Sequence, residues 1–104
     1  MKISLRVILL LLLCGPMTFA QRKGYVIFSG KIVDVENKAP IAGASVFFSG
    51  SSAGGTTDSL GVFSVTIAAR NYQVIARSLG YKFKTFRLDL TKNTQLNIEL
   101  ERSE

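Results

Sequence analysis

After Gly61 the chain reads Val62-Phe63-Ser64-Val65-Thr66-Ile67, with Phe63, Val65 and Ile67 at one parity and Ser64 and Thr66 at the other. A strand turns successive side chains to opposite faces, whereas a helix would scatter these three apolar residues around its circumference. The segment is therefore predicted to be a strand of a half-buried antiparallel sheet. Asp58 and Gly61 bracket a tight turn just ahead of it. An Asp side chain bonds to its own backbone two residues on, and Gly supplies the positive φ that such a turn often needs.

The same alternation recurs along the chain. Tyr25 to Asp34 reads as a first strand, with Phe28, Gly30 and Ile32 on one face. Glu36-Asn37-Lys38-Ala39-Pro40 is a polar turn, because Asn tolerates the left-handed region and Pro pushes the residue before it out of the helical one. Gly43 leads into a second strand, Ala44 to Ser49, with Ala44, Val46 and Phe48 inward and Phe47 opposite. A short third strand is expected around Thr56-Thr57, after the Gly50 to Gly55 loop. The turn Ala68 to Asn71 separates the Phe63 strand from a fifth, Tyr72 to Leu79, in which Tyr72, Val74 and Ala76 alternate against Gln73 and Arg77. Lys82 to Leu90 is a sixth strand with Phe86, Leu88 and Leu90 on its core face, and Leu96, Ile98 and Leu100 mark the last. These features predict an all-β fold, an antiparallel β-sandwich of about seven strands.

The first twenty residues have a different character. Lys2 and Arg6 form a positive start, Val7 to Leu13 is an unbroken apolar run, and Thr18-Phe19-Ala20 places small residues at the −3 and −1 positions before Gln21. This is the layout of a secretory signal peptide cleaved after Ala20. The apolar run is well short of the roughly 20 residues that span a bilayer, so no stable membrane span is expected after cleavage. Leu13 is too bulky for a lipobox ahead of Cys14, which argues against lipidation there. Cleavage would remove Cys14, the one cysteine, and with it any disulfide or thiolate chemistry. The expected organisation is a leader at 1–20, a flexible lead and the start of the first strand at 21–27, a sandwich at 28–101 and a charged tail at 102–104.

Composition excludes several chemistries. The chain has no histidine, so neither a Ser-His-Asp triad, a Cys-His pair nor a His-ligated zinc site can be built. Asp58 has no second acid nearby in sequence, whereas Ca²⁺ wants 6–8 oxygens, so a structural turn is the expectation for it. The Gly50 to Gly55 loop lacks the Lys-Ser/Thr of a phosphate-binding loop. No catalytic residue, metal or cofactor is expected. Losing Lys2 and Arg6 takes two of 13 basic residues, against 7 acidic, and leaves a net charge of +4. That balance is too diffuse to argue for nucleic acid, and export argues against nucleic acid as a partner.

Four short motifs in order resemble a known family. They are Pro40-Ile41-Ala42-Gly43-Ala44-Ser45-Val46, then Thr56-Thr57-Asp58-Ser59-Leu60-Gly61-Val62-Phe63, then Leu79-Gly80-Tyr81-Lys82, and the terminal Leu96-Asn97-Ile98-Glu99-Leu100. Together they resemble the carboxypeptidase regulatory-like domain, a transthyretin-like sandwich of the carbohydrate-binding-like fold, over about Phe28 to Glu101. The resemblance implies a secreted accessory module in the periplasm or at the outer-membrane surface, with an envelope protein or a glycan as partner. It also implies a second reading, the leading domain of a TonB-dependent outer-membrane receptor for glycan uptake of the Bacteroidetes type.

Pro40, Gly43, Asp58 and Gly61 are thus expected to shape turns. The one basic-aromatic stretch is Tyr81-Lys82-Phe83-Lys84-Thr85-Phe86-Arg87, where Tyr81, Lys82, Lys84 and Phe86 are the candidate ligand or partner surface. The simpler alternative is a strand whose lysines protect a sheet edge from aggregation.

Overall fold

Among the described residues, the two sheets of the sandwich divide eight strands between them. They are β1 (Tyr25–Asp34), β2 (Ser45–Phe48), β3 (Gly54–Thr56), β4 (Val62–Ala68), β5 (Arg70–Arg77), β6 (Lys84–Leu90), β7 (Thr94–Gln95) and β8 (Ile98–Leu100). This computed structural model describes residues 24–103. The leader with Cys14 and the cleavage site after Ala20, the lead Gln21 to Lys23 and Glu104 lie outside the described residues. One sheet runs β4-β1, with β7 and β8 both along the far edge of β1; the other runs β3-β2-β5-β6.

The parities read from the sequence are the buried ones. Phe63, Val65 and Ile67 of β4, Val46 and Phe48 of β2, and Tyr72, Val74 and Ala76 of β5 are all buried. The centre is aromatic and joins both sheets. Phe28 of β1 meets the Phe63 ring edge-on at 5.1 Å and that of Phe48 at 6.1 Å, and Phe48 meets Tyr72 at 5.4 Å. Each such pair adds about 0.5–1.5 kcal/mol beyond the area it buries. The Tyr72 hydroxyl donates to the Ala68 carbonyl at 2.7 Å, so its burial leaves no polar group unpaired.

Several boundaries differ from expectation: β2 is Ser45–Phe48 rather than Ala44 to Ser49, β5 starts at Arg70 rather than Tyr72, and β6 starts at Lys84 rather than Lys82. The terminal alternation is two strands, β7 and β8, and both pair with β1 in parallel, unlike every other pair of strands described. They share one register on β1, Phe28 facing Thr94 and Ile32 facing Ile98. The break falls where Leu96 crosses Gly30: a Cβ on Gly30 would overlap the Leu96 carbonyl. Here Gly allows backbone to pass closer than any side chain permits. β5 stops at Arg77, leaving Leu79 in a turn closed by the Tyr81 N–H on the Ser78 carbonyl, with Gly80 at φ +85°. The third strand is Gly54–Thr56, and Thr57 lies just beyond it, buried.

Thr57 ties two turns together. Its hydroxyl donates to the Ile41 carbonyl at 2.6 Å and accepts the Ala44 N–H at 2.9 Å, while the Gly43 N–H reaches the Thr57 carbonyl. One residue on, Asp58 Oδ1 accepts the N–H groups of Leu60 and Val62, each at 2.9 Å. Gly61 closes this turn at φ +76°, and an added Cβ would press on the Ile32 carbonyl and the Pro40 ring. Pro40 itself bridges to Val33 of β1. In the Glu36 to Pro40 turn the left-handed residue is Lys38 (φ 61°), while the Asn37 side chain accepts the Ala39 N–H.

Candidate docking surface around Phe83

The candidate surface is built on a buried carboxylate. Asp34, the last residue of β1, is 1% exposed and has four partners. Its Oδ1 accepts the Glu36 N–H at 2.8 Å and the Asn37 N–H at 3.4 Å; its Oδ2 accepts the Tyr81 hydroxyl and Arg102 Nε, both at 2.9 Å. The Arg102 bond, helped by the Glu36 N–H and the Tyr81 hydroxyl, holds the Asp34 carboxyl well below the usual carboxylate range, against the opposing effect of burial. The Tyr81 bond to Asp34 raises the phenol above its ordinary value.

This cluster fixes the chain on both sides of the surface. Arg102, expected in a charged tail, instead forms a bridge with Tyr81, and its guanidinium lies 5.9 Å from the Tyr81 ring centre. The Ser103 N–H donates to the Gly80 carbonyl, and the Lys82 N–H to the Glu101 carbonyl. The segment from Gly80 to Lys82 is therefore held at every residue, and its neighbours Leu79 and Phe83 are exposed.

Of the four residues of the expected strip, Lys82 and Lys84 line one groove beside Phe83 and Tyr81 lines another, while Phe86 lies in neither. Tyr81 is half-buried with its hydroxyl committed to Asp34. Phe86 is half-buried and packs against the core with Leu88. Lys82 precedes β6 and lies 3.7 Å from Glu101, both side chains well exposed, an arrangement worth little energy. Lys84 opens β6 and directs Nζ to the Glu99 carbonyl at 3.3 Å. Glu99 also receives Lys38 Nζ at 2.6 Å, and this pairing lowers its carboxyl pKa. Pro40, Gly43, Asp58 and Gly61 lie in the turns described above.

The residues that do stand out are Phe83, 70% exposed, and Leu79, 99% exposed. Two shallow grooves meet at Phe83. One, about 490 Å³, is lined by Lys82, Phe83 and Lys84, by Glu99 to Glu101 and by Val35. The other, about 600 Å³, is lined by Leu79, Tyr81, Phe83, Arg77 and Ser45. Alternation alone places Phe83 on a strand face with Thr85 and Arg87, which would require β6 to start at Lys82 rather than at Lys84. The Gly80-Tyr81 break is the available sign that Leu79 and Phe83 flank a turn.

The surface offers apolar anchors with a mixed-charge rim and no converging set of catalytic groups. Among the described residues no three Asp, Glu, Cys or His side chains gather as a metal site, and no helix is long and apolar enough to cross a membrane.

Comparison with known proteins agrees with this architecture. No curated protein matches the sequence. Among solved structures, one chain of a type II cohesin–X-dockerin complex from Acetivibrio cellulolyticus is similar at 27% identity and TM-score 0.64, over 74% of this chain and 58% of that one. A 3-chlorocatechol 1,2-dioxygenase from Rhodococcus opacus shares the fold at 14% identity and TM-score 0.61, over 84% and 63% of the two chains. A DUF3823 family protein from Parabacteroides merdae does so at 14% and 0.56, over 77% and 46%. The chain thus spans less than two thirds of each of these relatives. The profile of one family, described as the CarboxypepD_reg-like domain, runs from Phe28 in β1 past the Arg102 anchor to residue 104, and the chain belongs to that family.

Proposed function

We propose that this chain is an exported, non-enzymatic accessory module that docks another protein of the cell envelope through the surface around Phe83 and Leu79. The carrying observation is the exposure of these two side chains on a segment pinned by the Asp34–Tyr81–Arg102 cluster. Apolar anchors held on a rigid base lose little freedom on binding, which is what a hot spot requires.

Protein is favoured over glycan by the state of the polar groups. The Tyr81 hydroxyl is already spent on Asp34, and Lys84 is turned to a backbone carbonyl. Leu79 has no aromatic face to stack on a sugar ring. The similar chain from Acetivibrio cellulolyticus comes from a complex between proteins, which is in keeping with docking. The leader at 1–20 supports export, to the periplasm or the outer-membrane surface, and the absence of histidine supports a role without catalysis.

The test is capture of partners from solubilised envelope by the exported chain, with a glycan array in parallel. A specific protein should be retained and then lost with Phe83→Ala and with Leu79→Ser. Glycan binding that disappears with Phe83→Ala would replace this reading with a sugar-binding one. Hydrolysis dependent on a named side chain would overturn it.

A further inference from the structure

A second surface continues from Phe83 along β6, toward Arg87 and Asp89. This strand is the edge of its sheet, and its one strand partner among the described residues is β5. The Ser49 N–H bonds to the Gln73 carbonyl, so Gln73 and its alternate neighbours on β5 direct their backbone groups to β2. Tyr72, Val74 and Ala76 then face β6 and take up the backbone groups of Leu88, Phe86 and Lys84. The backbone N–H and C=O groups of Thr85, Arg87 and Asp89 are left pointing away from the sheet.

The side chains on that edge are charged in a self-complementary order. Within the sheet Arg87 lies opposite Gln73 and Asp89 opposite Asn71, both neutral amides, and among the described residues neither charge has an ion-pair partner. Asp89 Oδ1 is fixed by the N–H and hydroxyl of Thr91, at 3.1 and 2.7 Å, which leaves Oδ2 open. Both Arg87 and Asp89 are exposed.

We infer that β6 is a homodimer edge: two copies of the chain pair β6 antiparallel about a two-fold axis at Leu88, joining their sheets into one. The register follows from charge. Centring the axis on Arg87 sets Arg87 opposite its own copy, and centring it on Asp89 sets two carboxylates together, both destabilising. Centring it on Phe86 leaves Arg87 opposite Thr85. An axis at Leu88 sets Arg87 opposite Asp89 twice and keeps both in the bonded positions of the ladder. It also places Leu88 on Leu88 and Phe86 on Leu90 across the inner face. Phe86 and Leu88 are half-buried in one copy, so the partner covers the part of them that the edge leaves open; Leu90 is already fully buried within its own copy. Lys84 does not oppose this pairing, since its ammonium is drawn across to the Glu99 carbonyl.

The experiment is sedimentation of the full chain over a concentration series reaching about 1 mM, the range of weak association. The wild type should dimerise. Arg87→Glu and Asp89→Arg should each weaken the dimer at least tenfold while keeping the β-sheet spectrum. An equimolar mixture of the two variants should recover it. In that mixed pair the glutamate introduced in one copy faces the arginine introduced in the other, and the native Asp89 of the first faces the native Arg87 of the second. The double variant carrying both changes should self-associate like the wild type. A monomer throughout the series, or single variants that dimerise undiminished, would overturn the inference. Failure of the mixture to re-form a dimer would overturn the Leu88-centred register. Because Phe83 and Leu79 lie outside β6, Phe83→Ala should leave the dimer intact, so loss of docking and loss of dimerisation are told apart.

Discussion

Arg102 Nε lies 2.9 Å from Oδ2 of Asp34, joining an exposed cation near the end of the chain to a buried carboxylate at the end of β1. A buried charge is tolerated only when its lone pairs are filled, and Asp34 meets that condition with two backbone N–H groups, a phenol and a guanidinium.

Acid should weaken the fold through this residue. The folded-state pKa of Asp34 is lowered, so its contribution is complete above the unfolded value of about 3.9 and is lost as pH falls through and below it. Urea midpoints of the wild type should stay level from about pH 7 to 5 and then drop, whereas Asp34→Asn should start lower and fall less steeply. Glu99, also lowered, adds to the wild-type slope, so the comparison is between the two slopes. Parallel curves for the two proteins would show that Asp34 carries none of the acid sensitivity.

Asp58 should prove a turn residue. Asp58→Ala removes the acceptor for two backbone N–H groups, at a cost of about 1–2 kcal/mol, while Asp58→Asn keeps an oxygen there and should cost little. For a domain of this size that is a fall in Tm of roughly 5–10 °C in a thermal melt for the alanine variant. Added Ca²⁺ should leave both melts unchanged. A Ca²⁺-dependent rise in the wild type alone would make Asp58 a ligand instead.

Substitutions on the docking surface should be nearly silent for stability. Leu79→Ser and Phe83→Ser remove exposed side chains and should shift unfolding by less than about 0.5 kcal/mol. Phe63→Ala, which empties the space beside Phe28, should cost about 3–5 kcal/mol, a large share of the stability of a small domain. Equilibrium unfolding of the three variants side by side makes the comparison.

Side-chain parity is legible in the sequence because a strand writes its buried face as every second residue. Phe63, Val65, Ile67, Tyr72, Val74 and Ala76 are buried as that rule requires. The turn chemistry of Asp58 and Gly61 is legible for a similar reason, being local. What escapes is long-range. Nothing near Asp34 announces that Tyr81 and Arg102, 47 and 68 residues away, will converge on it. Thr57 reads as one more β-former, and only the fold shows its hydroxyl joining Ile41 to Ala44. Phe83 falls on a strand face in the sequence because alternation cannot locate where a strand begins. The clean alternation of Leu96, Ile98 and Leu100 likewise hides a break imposed by a glycine on another strand.

That glycine supports the sharpest prediction about the fold. Gly30 lies where the chain between β7 and β8 passes β1, and the Leu96 carbonyl occupies the space of its missing Cβ. Gly30→Ala must therefore push the crossing away from β1, since neither partner is a side chain that can rotate aside. The cost should be at least about 1–3 kcal/mol, the range for overpacking. The damage should be local first. The Leu96 N–H, bonded to the Ser29 carbonyl, and the Ile27 and Lys31 N–H groups, bonded to Asn93 and Asn97, should exchange with solvent faster. Amides of the β2–β5 pairing, in the other sheet, should keep a larger share of their protection. Uniform loss of protection across both sheets would mean that the crossing is part of the global unfolding unit. An unchanged protein would mean that the crossing has room to move, and that Gly30 does not dictate where the terminal strand breaks.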